Sequence, residues 1–306
     1  MERRNFLKQN ILTGSALIAS GKLFAGNGIG TKSVSSLPFQ LNYAFHDGMF
    51  TNLASESFID QIKFAHSVGF RSIEDNGMMD RTPEMQQKIG DTLASLGMSM
   101  GVFVINYDNW PLQISLTNGS KEWREKFVKY CKQSVEVAKR CNAKWMTVVP
   151  GNYDRKLSLD MQTANVIEAL RPGVEILEKN DLIMVLEPLS DTPELFLRNA
   201  TQTYAICKAI KSPACKILYD IYHMQRNEGN IIRRIDECWD EIAYLQIGDN
   251  PGRNEPGTGE INYKNVFKHI HNKGYKGILG MEHGIAGKGK IGEEALIKAY
   301  RDADNF

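Results

Sequence analysis

Hydrophobic and polar positions alternate along this chain with two different periods, one typical of strands and one typical of helices. Between the apolar runs lie segments in which apolar residues recur every three or four positions, for example 55–69 and 120–141. Gly or Asn follows several of these helical segments, as is common at helix C-termini. The short apolar runs predict strands at 38–44, 70–75, 99–105, 144–150, 182–188, 215–220, 242–248 and 277–283.

The count and spacing of these units predict the fold class. Eight strand–helix units of about 30–35 residues each match an α/β fold of the single (β/α)8 TIM barrel type. A doubly wound open sheet is the alternative, and it would favour a Gly-rich phosphate loop after the first strand. The sequence there is NYAFHDG (42–48), which contains no such motif. We therefore predict one barrel over residues 36–306 and no second domain.

Polar residues with a carboxylate or amide oxygen in the side chain occupy the last inward position of four consecutive predicted strands. The alternation of strand side chains places them on the same faces as Val185, Leu218, Tyr244 and Gly280, each two positions earlier. Loops at the C-terminal ends of barrel strands converge on one mouth, where barrel enzymes have their active sites. The four residues are Glu187, Asp220, Gln246 and Glu282.

Three carboxylates and an amide at one mouth predict a metal site. Each residue alone has an ordinary alternative, such as a helix cap or a solvated strand end, but matching positions on four strands favour convergence. Buried carboxylates repel one another unless a cation compensates them. Hard oxygen ligands select a divalent ion such as Mg²⁺ or Mn²⁺.

Other residues near the predicted mouth are candidates for binding a substrate. His46 follows the first predicted strand, Glu74 lies at the end of the second, and His283 directly follows Glu282. Arg253 lies in a long Gly/Pro-rich loop after the seventh strand, where its guanidinium could hold a substrate carboxylate. The remaining histidines (His66, His269 and His271) lie in predicted helices and have the ordinary interpretation of packing or surface residues.

The segment LYDIYHM (218–224) poses a geometric question, because Asp220 and His223 are three positions apart. In a regular strand they would point to opposite faces. If both belong to one site, the strand must end at Asp220 and the chain must turn within Ile221 and Tyr222.

Four motifs give the chain a specific resemblance. YDIYHMQRNEG (219–229), LQIGDNPGRNEPGTGEINY (245–263), VLEP (185–188) and GMEH (280–283) resemble the hydroxypyruvate isomerase family of xylose-isomerase-like TIM barrels. The resemblance is close over 182–283 and extends to the layout of 37–180. It implies that Glu187 and Glu282 are both metal ligands and the catalytic acid/base pair. It further implies that Asp220 and Gln246 complete the metal site and that His223 hydrogen-bonds a substrate oxygen.

The implied reaction is a metal-dependent isomerisation of a 2-oxo acid. Hydroxypyruvate would be converted into tartronate semialdehyde through an enediolate, with the two glutamates moving the proton. Two alternatives remain open. One is a ketose or keto-sugar 3-epimerase using the same glutamates, and the other is a non-catalytic, exported sugar-binding barrel.

Composition and charge limit the classes of molecule that the protein is expected to bind. With a net charge of +1 and no basic block, the chain gives no reason to expect a nucleic acid, and no run is apolar enough to span a bilayer in the mature chain. The five cysteines are odd in number and form no CxxC pair, which favours buried single thiols. The expected partner is a small 2-oxo acid or sugar; assembly into a homo-oligomer stays open.

The N-terminus is the exception in composition. Arg3 and Arg4 precede Phe6-Leu7-Lys8 and a mildly apolar stretch. This order resembles a twin-arginine export signal, so we expect residues 1–30 to be a signal and flexible linker read by the twin-arginine export machinery. The protein would then be periplasmic or otherwise exported. An amphipathic N-terminal helix, with the protein in the cytoplasm, is the alternative.

Overall fold

The strands and helices of the chain alternate in sequence. A computed structural model describes residues 37–105 and 113–306. The predicted signal at 1–30 lies outside these residues. The strands are β1 (Asn42–His46), β2 (Ser72–Glu74), β3 (Ser99–Met100), β4 (Val102–Val104), β5 (Trp145–Val148), β6 (Ile183–Leu186), β7 (Cys215–Asp220), β8 (Ile242–Gln246) and β9 (Ile278–Gly280).

The helices pack around these strands. They are α1 (Phe58–Ser67), α2 (Pro83–Leu96), α3 (Lys121–Cys141), α4 (Leu159–Glu178), α5 (Ala200–Ile210), α6 (Ile221–Asn227), α7 (Ile231–Cys238), α8 (Tyr263–Asn272) and α9 (Gly289–Ala303). Short 3-10 turns lie at Met78–Asp80, Leu116–Asn118 and Trp239–Glu241. Within the described ranges, no helix combines the length and apolar character needed to cross a membrane.

All neighbouring strands are parallel and follow the order β3-β2-β1-β9-β8-β7-β6-β5-β4. The two end strands, β3 and β4, are separated only by Gly101, and together they occupy the position of the predicted strand 99–105. β3 pairs with β2 and β4 pairs with β5. The two segments therefore act as one barrel strand, and the prediction of a TIM barrel is confirmed.

Gly101 interrupts this strand because the barrel interior is crowded there. A Cβ at this position would overlap the Tyr244 hydroxyl and lie 2.8 Å from the Ile73 carbonyl oxygen. The Gly101 amide itself donates to that Ile73 oxygen at 2.7 Å. Closure of the ring thus depends on the close approach that only glycine permits.

The apolar core has two parts. A small cluster of one buried residue from each of six strands contains Ala44, Val102, Val185, Leu218, Tyr244 and Ile278. A much larger cluster combines the remaining strand residues with the buried faces of the helices. The predicted alternation is confirmed, because Val185, Leu218 and Tyr244 each precede a predicted site residue by two positions.

The first strand differs from its prediction. It was expected at 38–44 and begins instead at Asn42. The backbone amides of Gln40 and Leu41 donate to the carboxylate of Asp304, at 2.6 and 3.2 Å, and the Tyr43 hydroxyl also donates to it at 2.9 Å. These amides bond to a side chain at the far end of the chain, so residues 40 and 41 form no strand ladder.

Candidate active site

The four predicted strand-end residues lie at one end of the barrel. Asp220 and Gln246 are the last residues of β7 and β8 and are paired in register, and Gln246 is in turn paired with Gly280 of β9. Glu187 and Glu282 follow β6 and β9 by one and two residues. One ligand atom from each of Glu187, Asp220, His223 and Glu282 lies within 4.8 Å of all the others. This cluster could hold a metal ion.

The Asp220–His223 spacing has a simple structural solution. β7 ends at Asp220, and α6 begins at the next residue with Asp220 as its N-cap. Asp220 Oδ1 accepts hydrogen bonds from the Tyr222 amide at 2.7 Å and the His223 amide at 3.4 Å. The helical turn brings His223 back to the strand end, with Nε2 3.4 Å from Asp220 Oδ2. The predicted end of the strand and turn are confirmed.

Both ring nitrogens of His223 face hydrogen-bond donors. Its Nδ1 lies 3.2 Å from the backbone amide nitrogen of Ser190 and 2.8 Å from the Ser190 hydroxyl. Its Nε2 lies 3.1 Å from Arg253 Nη2. A backbone N–H and a guanidinium N–H can only donate, so these contacts do not select one tautomer of the ring. Burial, reinforced by the positive charge of Arg253, lowers the pKa of His223 to about 4, so the ring is neutral near pH 7.

Arg253 lies against the carboxylates of the cluster. Its Nη2 donates to Glu282 Oε2 at 2.8 Å and to Asp220 Oδ2 at 3.3 Å, and its Nε donates to the Glu282 carbonyl oxygen at 3.1 Å. The guanidinium also lies over the Tyr222 ring, 4.9 Å from the centroid. Burial alone would lower the pKa of Arg253, but the charges of Glu282 and Asp220 outweigh it and raise this pKa.

The carboxyl groups of the cluster are harder to ionise than free ones. Burial raises the pKa of Glu187, and the neighbouring charges of Glu282 and Asp220 raise it further. Burial likewise raises the pKa of Asp220, and it raises that of Glu282 to about 7 although Arg253 opposes the shift. Such crowding of acids is typical of functional sites.

Two acceptor atoms suggest what this site is built to hold. Glu187 Oε1 and Gln246 Oε1 are buried and have no hydrogen-bond partner in the part of the chain that the structure describes. Buried acceptors without a partner are costly in a protein interior. Oxygen atoms of this kind, beside further carboxylates, are the ligands that Mg²⁺ or Mn²⁺ takes. The donor set therefore fits a divalent cation.

Glu74 is buried beneath the mouth and does not reach the open pocket. Its Oε1 accepts from His46 Nε2 at 3.0 Å and from Gln246 Nε2 at 2.6 Å, and its Oε2 accepts from the Tyr244 hydroxyl at 2.7 Å. Burial lowers the pKa of His46, but the charge and hydrogen bond of Glu74 reverse this and raise it.

A pocket of about 350 Å³ opens above the cluster. Its lining includes two residues named from the sequence as substrate candidates, His46 and Arg253, together with the candidate His283. Both ring nitrogens of His283 are hydrogen-bonded, Nε2 to the Tyr300 hydroxyl at 2.7 Å and Nδ1 to the Gly284 carbonyl oxygen at 2.6 Å. Burial lowers the pKa of His283 to about 4.

Two residues of the site were missed by sequence reasoning. Asn76 lines the pocket and donates from Nδ2 to Glu282 Oε1 at 2.8 Å. Ser190, three residues after Glu187, binds His223 as described above. Asn76 lies two residues beyond β2, so an inspection of the residues just past each strand end would have found it. Nothing in the sequence signals the contact between Ser190 and His223.

Comparisons with known proteins agree with this geometry. The model of the xylose isomerase-like TIM barrel family matches residues 62–301. Hydroxypyruvate isomerase of Escherichia coli is 36% identical over 152 residues, which are 49% of this chain and 59% of that enzyme. The 2-oxo-tetronate isomerase of Cupriavidus necator is 29% identical over 138 residues, 44% of this chain and 52% of the relative. The chain thus spans little more than half the length of these curated relatives.

Solved structures share the fold at low identity. A family 2 AP endonuclease from Brucella melitensis superposes with a TM-score of 0.72 at 20% identity, over 82% of this chain and 96% of that one. A 3-keto-D-glucoside 4-epimerase from Escherichia coli gives a TM-score of 0.72 at 17% identity, over 87% of this chain and 100% of the other. With its barrel, its strand-end carboxylates and the family match over 62–301, this chain belongs to the xylose isomerase-like TIM barrel family.

Proposed function

We propose that the protein is a metal-dependent isomerase that interconverts a 2-oxo acid such as hydroxypyruvate with its aldehyde isomer, tartronate semialdehyde. One observation supports this most directly. Three carboxylates, those of Glu187 and Asp220 buried and that of Glu282 partly exposed, converge at the ends of β6, β7 and β9. Glu187 Oε1 and the neighbouring Gln246 Oε1 are buried and have no partner among the described residues. Binding a neutral sugar does not require two opposed carboxylates, whereas a proton transfer between two carbons uses them as base and acid.

Glu187, Asp220, Gln246 and Glu282 are the residues that would hold the cation, with Mg²⁺ or Mn²⁺ as the expected ion. When bound, the cation polarises the carbonyl and the neighbouring hydroxyl of the substrate and so acidifies the hydrogen on the carbon bearing that hydroxyl.

Two glutamate side chains of the protein then move the proton. One of Glu187 and Glu282 accepts a proton from the hydroxymethyl carbon, and the electron pair of that C–H bond forms the C=C bond of an enediolate. A glutamate returns a proton to the former carbonyl carbon, while the hydroxyl proton passes from one substrate oxygen to the other. A carboxyl with a pKa near 7, as for Glu282, can act as acid and as base near neutral pH.

His223 and Arg253 orient the substrate in this proposal. His223 hydrogen-bonds a substrate oxygen through Nε2 while Ser190 holds Nδ1, and the substrate oxygen takes the place of the 3.1 Å contact between Nε2 and Arg253 Nη2. Arg253 Nη2 is bonded to the cluster, whereas the polar contact of Nη1 among the described residues is a long one of 4.0 Å with Asp191. The substrate carboxylate would bind on the Nη1 side, where a guanidinium can pair with it. The names of the relatives from Escherichia coli and Cupriavidus necator support a 2-oxo acid as the substrate class.

The test is proton exchange in deuterated water with hydroxypyruvate, a 2-oxo-tetronate and a panel of ketoses, with and without EDTA. We expect exchange with the 2-oxo acids that EDTA abolishes and that Glu187→Gln and Glu282→Gln lower by at least about 10²-fold. The surface variant Glu237→Gln is the control and should exchange like wild type.

The other outcomes identify the alternatives. Exchange confined to ketoses would assign the site to a 3-epimerase. Sugar binding without exchange would indicate a non-catalytic barrel, and full exchange in both Gln variants would exclude the glutamate mechanism.

We also propose that the protein is exported by the twin-arginine machinery. The support is the order Arg3-Arg4-x-Phe6-Leu7-Lys8 before an apolar stretch. Replacing Arg3 and Arg4 by Lys should retain the protein in the cytoplasm, as measured by fractionation of the full chain. Export of this double variant at the wild-type level would refute the proposal and favour an ordinary N-terminal helix.

A further inference from the structure

The side-chain amide of Gln246 is held in one orientation by a buried acid. Gln246 Nε2 donates to Glu74 Oε1 at 2.6 Å, and Glu74 is fully buried. A carboxylate can only accept hydrogen bonds, so the NH₂ end of the amide must face Glu74 and the oxygen must face away. That oxygen, Gln246 Oε1, is the buried acceptor that has no partner within the described ranges.

Glu74 is itself fixed on its other sides. The Tyr244 hydroxyl donates to Oε2 at 2.7 Å and His46 Nε2 lies 3.0 Å from Oε1. The opposite wall is Gly280 of β9, where a Cβ would overlap the Glu74 carboxylate. The acid therefore fills a space that the barrel leaves for it, and its side chain cannot easily move away from Gln246.

From these contacts we infer that Glu74 is a positioning residue that keeps Gln246 Oε1 available as a cation ligand. The inference rests on the proposed function, because it assumes that the cluster binds a divalent cation. Without the Glu74 acceptor, the NH₂ group of Gln246 would be left buried without a partner whenever Oε1 faced the cation, and an unpaired buried donor is costly. Partners behind a ligand commonly change metal affinity by about 10–100-fold.

The test compares two neutral substitutions of Glu74 by titrating the EDTA-treated full-length protein with Mn²⁺ and measuring free Mn²⁺ by electron paramagnetic resonance. Glu74→Gln loses the charge but keeps an oxygen that can accept from Gln246, whereas Glu74→Leu has a similar size and no acceptor. We expect Glu74→Leu to bind Mn²⁺ at least about tenfold more weakly than Glu74→Gln. Equal affinities in the two variants would overturn the inference.

Making the same two Glu74 substitutions in Gln246→Ala protein separates the orientation of the Gln246 amide from other effects of Glu74 on cation binding. In Gln246→Ala protein there is no amide to orient, so the difference between Glu74→Leu and Glu74→Gln should disappear. If the difference stays the same, Glu74 acts on the cation by another route. Glu237→Gln, a change at an exposed acid that pairs with Arg233 and Arg234, is the control and should retain wild-type Mn²⁺ affinity.

Folding of each variant is checked by circular dichroism melts. If Glu74→Leu fails to fold, Glu74→Asp replaces it, because its carboxylate keeps the charge but is withdrawn by one methylene from Gln246. It should lose Mn²⁺ affinity relative to wild type by at least as much as Glu74→Gln, and wild-type affinity would overturn the inference.

The failure of this inference can be distinguished from failure of the proposed function. If wild-type protein exchanges substrate hydrogen only with metal, but both Glu74 variants bind Mn²⁺ equally, the positioning role alone is wrong. If wild-type protein binds no Mn²⁺, both proposals fail together.

Discussion

The surroundings of His223 bear on which of two roles it has. His223 lies in the cluster with three carboxylates, so it could bind the metal or the substrate. Arg253 Nη2, a cationic group that can only donate hydrogen bonds, lies 3.1 Å from Nε2, the ring atom that faces Asp220. A second cation at Nε2 is therefore disfavoured, and we propose that His223 contacts the substrate and that Gln246 binds the metal.

This assignment predicts a separation of effects in His223→Ala. Loss of a hydrogen bond to a charged substrate should lower the exchange rate by about 10–100-fold, corresponding to roughly 1.5–3 kcal/mol. The affinity for Mn²⁺, measured by titration, should stay within about twofold of wild type because no ligand is lost. A loss of Mn²⁺ affinity as large as that of Asp220→Ala, the matched ligand variant, would show that His223 is a ligand.

The raised pKa of Glu282 predicts a pH-dependent stability in the metal-free protein. The folded-state pKa of about 7 lies above the usual value of 4.5, so the folded protein holds this proton more tightly than the unfolded chain. The contribution is complete below about pH 4.5 and is lost as the pH rises through about 7. In EDTA, Glu282→Gln should therefore gain stability relative to wild type by roughly 1–3 kcal/mol between pH 5 and 8.

Urea unfolding of both proteins at several pH values measures this difference. The exposed acid variant Glu237→Gln is the control and should not show the gain. A constant difference between wild type and Glu282→Gln across the range would contradict the raised pKa.

At the residue scale, strand parity was enough to find Glu187, Asp220, Gln246 and Glu282. It could not show that Glu74 lies beneath the pocket, because that depends on the glycine opposite it and on Tyr244 reaching across the barrel. Ser190 was also inaccessible to sequence reasoning, since its contact with His223 joins the loop after β6 to helix α6.

At the scale of elements, the loop from β8 to α8 is organised by one buried acid, Asp249. Its carboxylate accepts from the backbone amides of Gly257, Gly259 and Ile261, at 2.8, 2.9 and 3.1 Å. The Asp249 carbonyl oxygen also accepts from the Arg253 amide at 2.7 Å. Asp249 therefore shapes the loop from which Arg253 reaches the cluster.

Asp249→Ala should weaken both stability and substrate binding. Three backbone amides, of which that of Ile261 is buried, lose their acceptor, which we expect to cost about 2–4 kcal/mol in urea unfolding. KM for the 2-oxo acid should rise because Arg253 is no longer held in place. The exposed Glu260 of the same loop provides the control Glu260→Gln, for which neither quantity should change. Unaltered KM in a measurably destabilised Asp249→Ala protein would separate the loop from substrate binding.

The periodic pattern located every barrel strand, but the first strand begins late, the third is divided, and four others end two or three residues earlier than predicted. The first strand begins later than predicted because Asp304, more than 260 positions away, binds the amides of residues 40 and 41. The third strand is divided at Gly101 by contact with a side chain of β8. Both deviations arise from long-range contacts that a local pattern does not contain.

At the scale of the whole molecule, the closed ring depends on the fit between Gly101 and Tyr244. The regular succession of strand–helix units was sufficient to predict the barrel, since few other architectures repeat in this way. It could not reveal how the ring closes, because closure is set by side chains that meet inside the barrel.

Gly101→Ala should destabilise the protein as a whole. The new methyl group would overlap the Tyr244 hydroxyl and crowd the Ile73 carbonyl, which we expect to cost about 1–3 kcal/mol and lower Tm by several degrees. Gly77→Ala is the control, because its Cβ would meet only Asp75 Oδ1 at 3.6 Å. Combining Gly101→Ala with Tyr244→Phe should recover part of the loss, and equal Tm values for the Gly101→Ala and Gly77→Ala proteins would refute the steric argument.

The bonds from Asp304 to residues 40, 41 and 43 hold the first strand against the end of the last helix. The two ends of the barrel are already joined without a covalent link. A circular permutant that connects Phe306 to Phe39 and opens the chain at the exposed turn of residues 179–181 would keep every strand neighbour and all four strand-end residues. We expect the barrel to assemble even when its strand–helix units follow one another along the chain in this altered order.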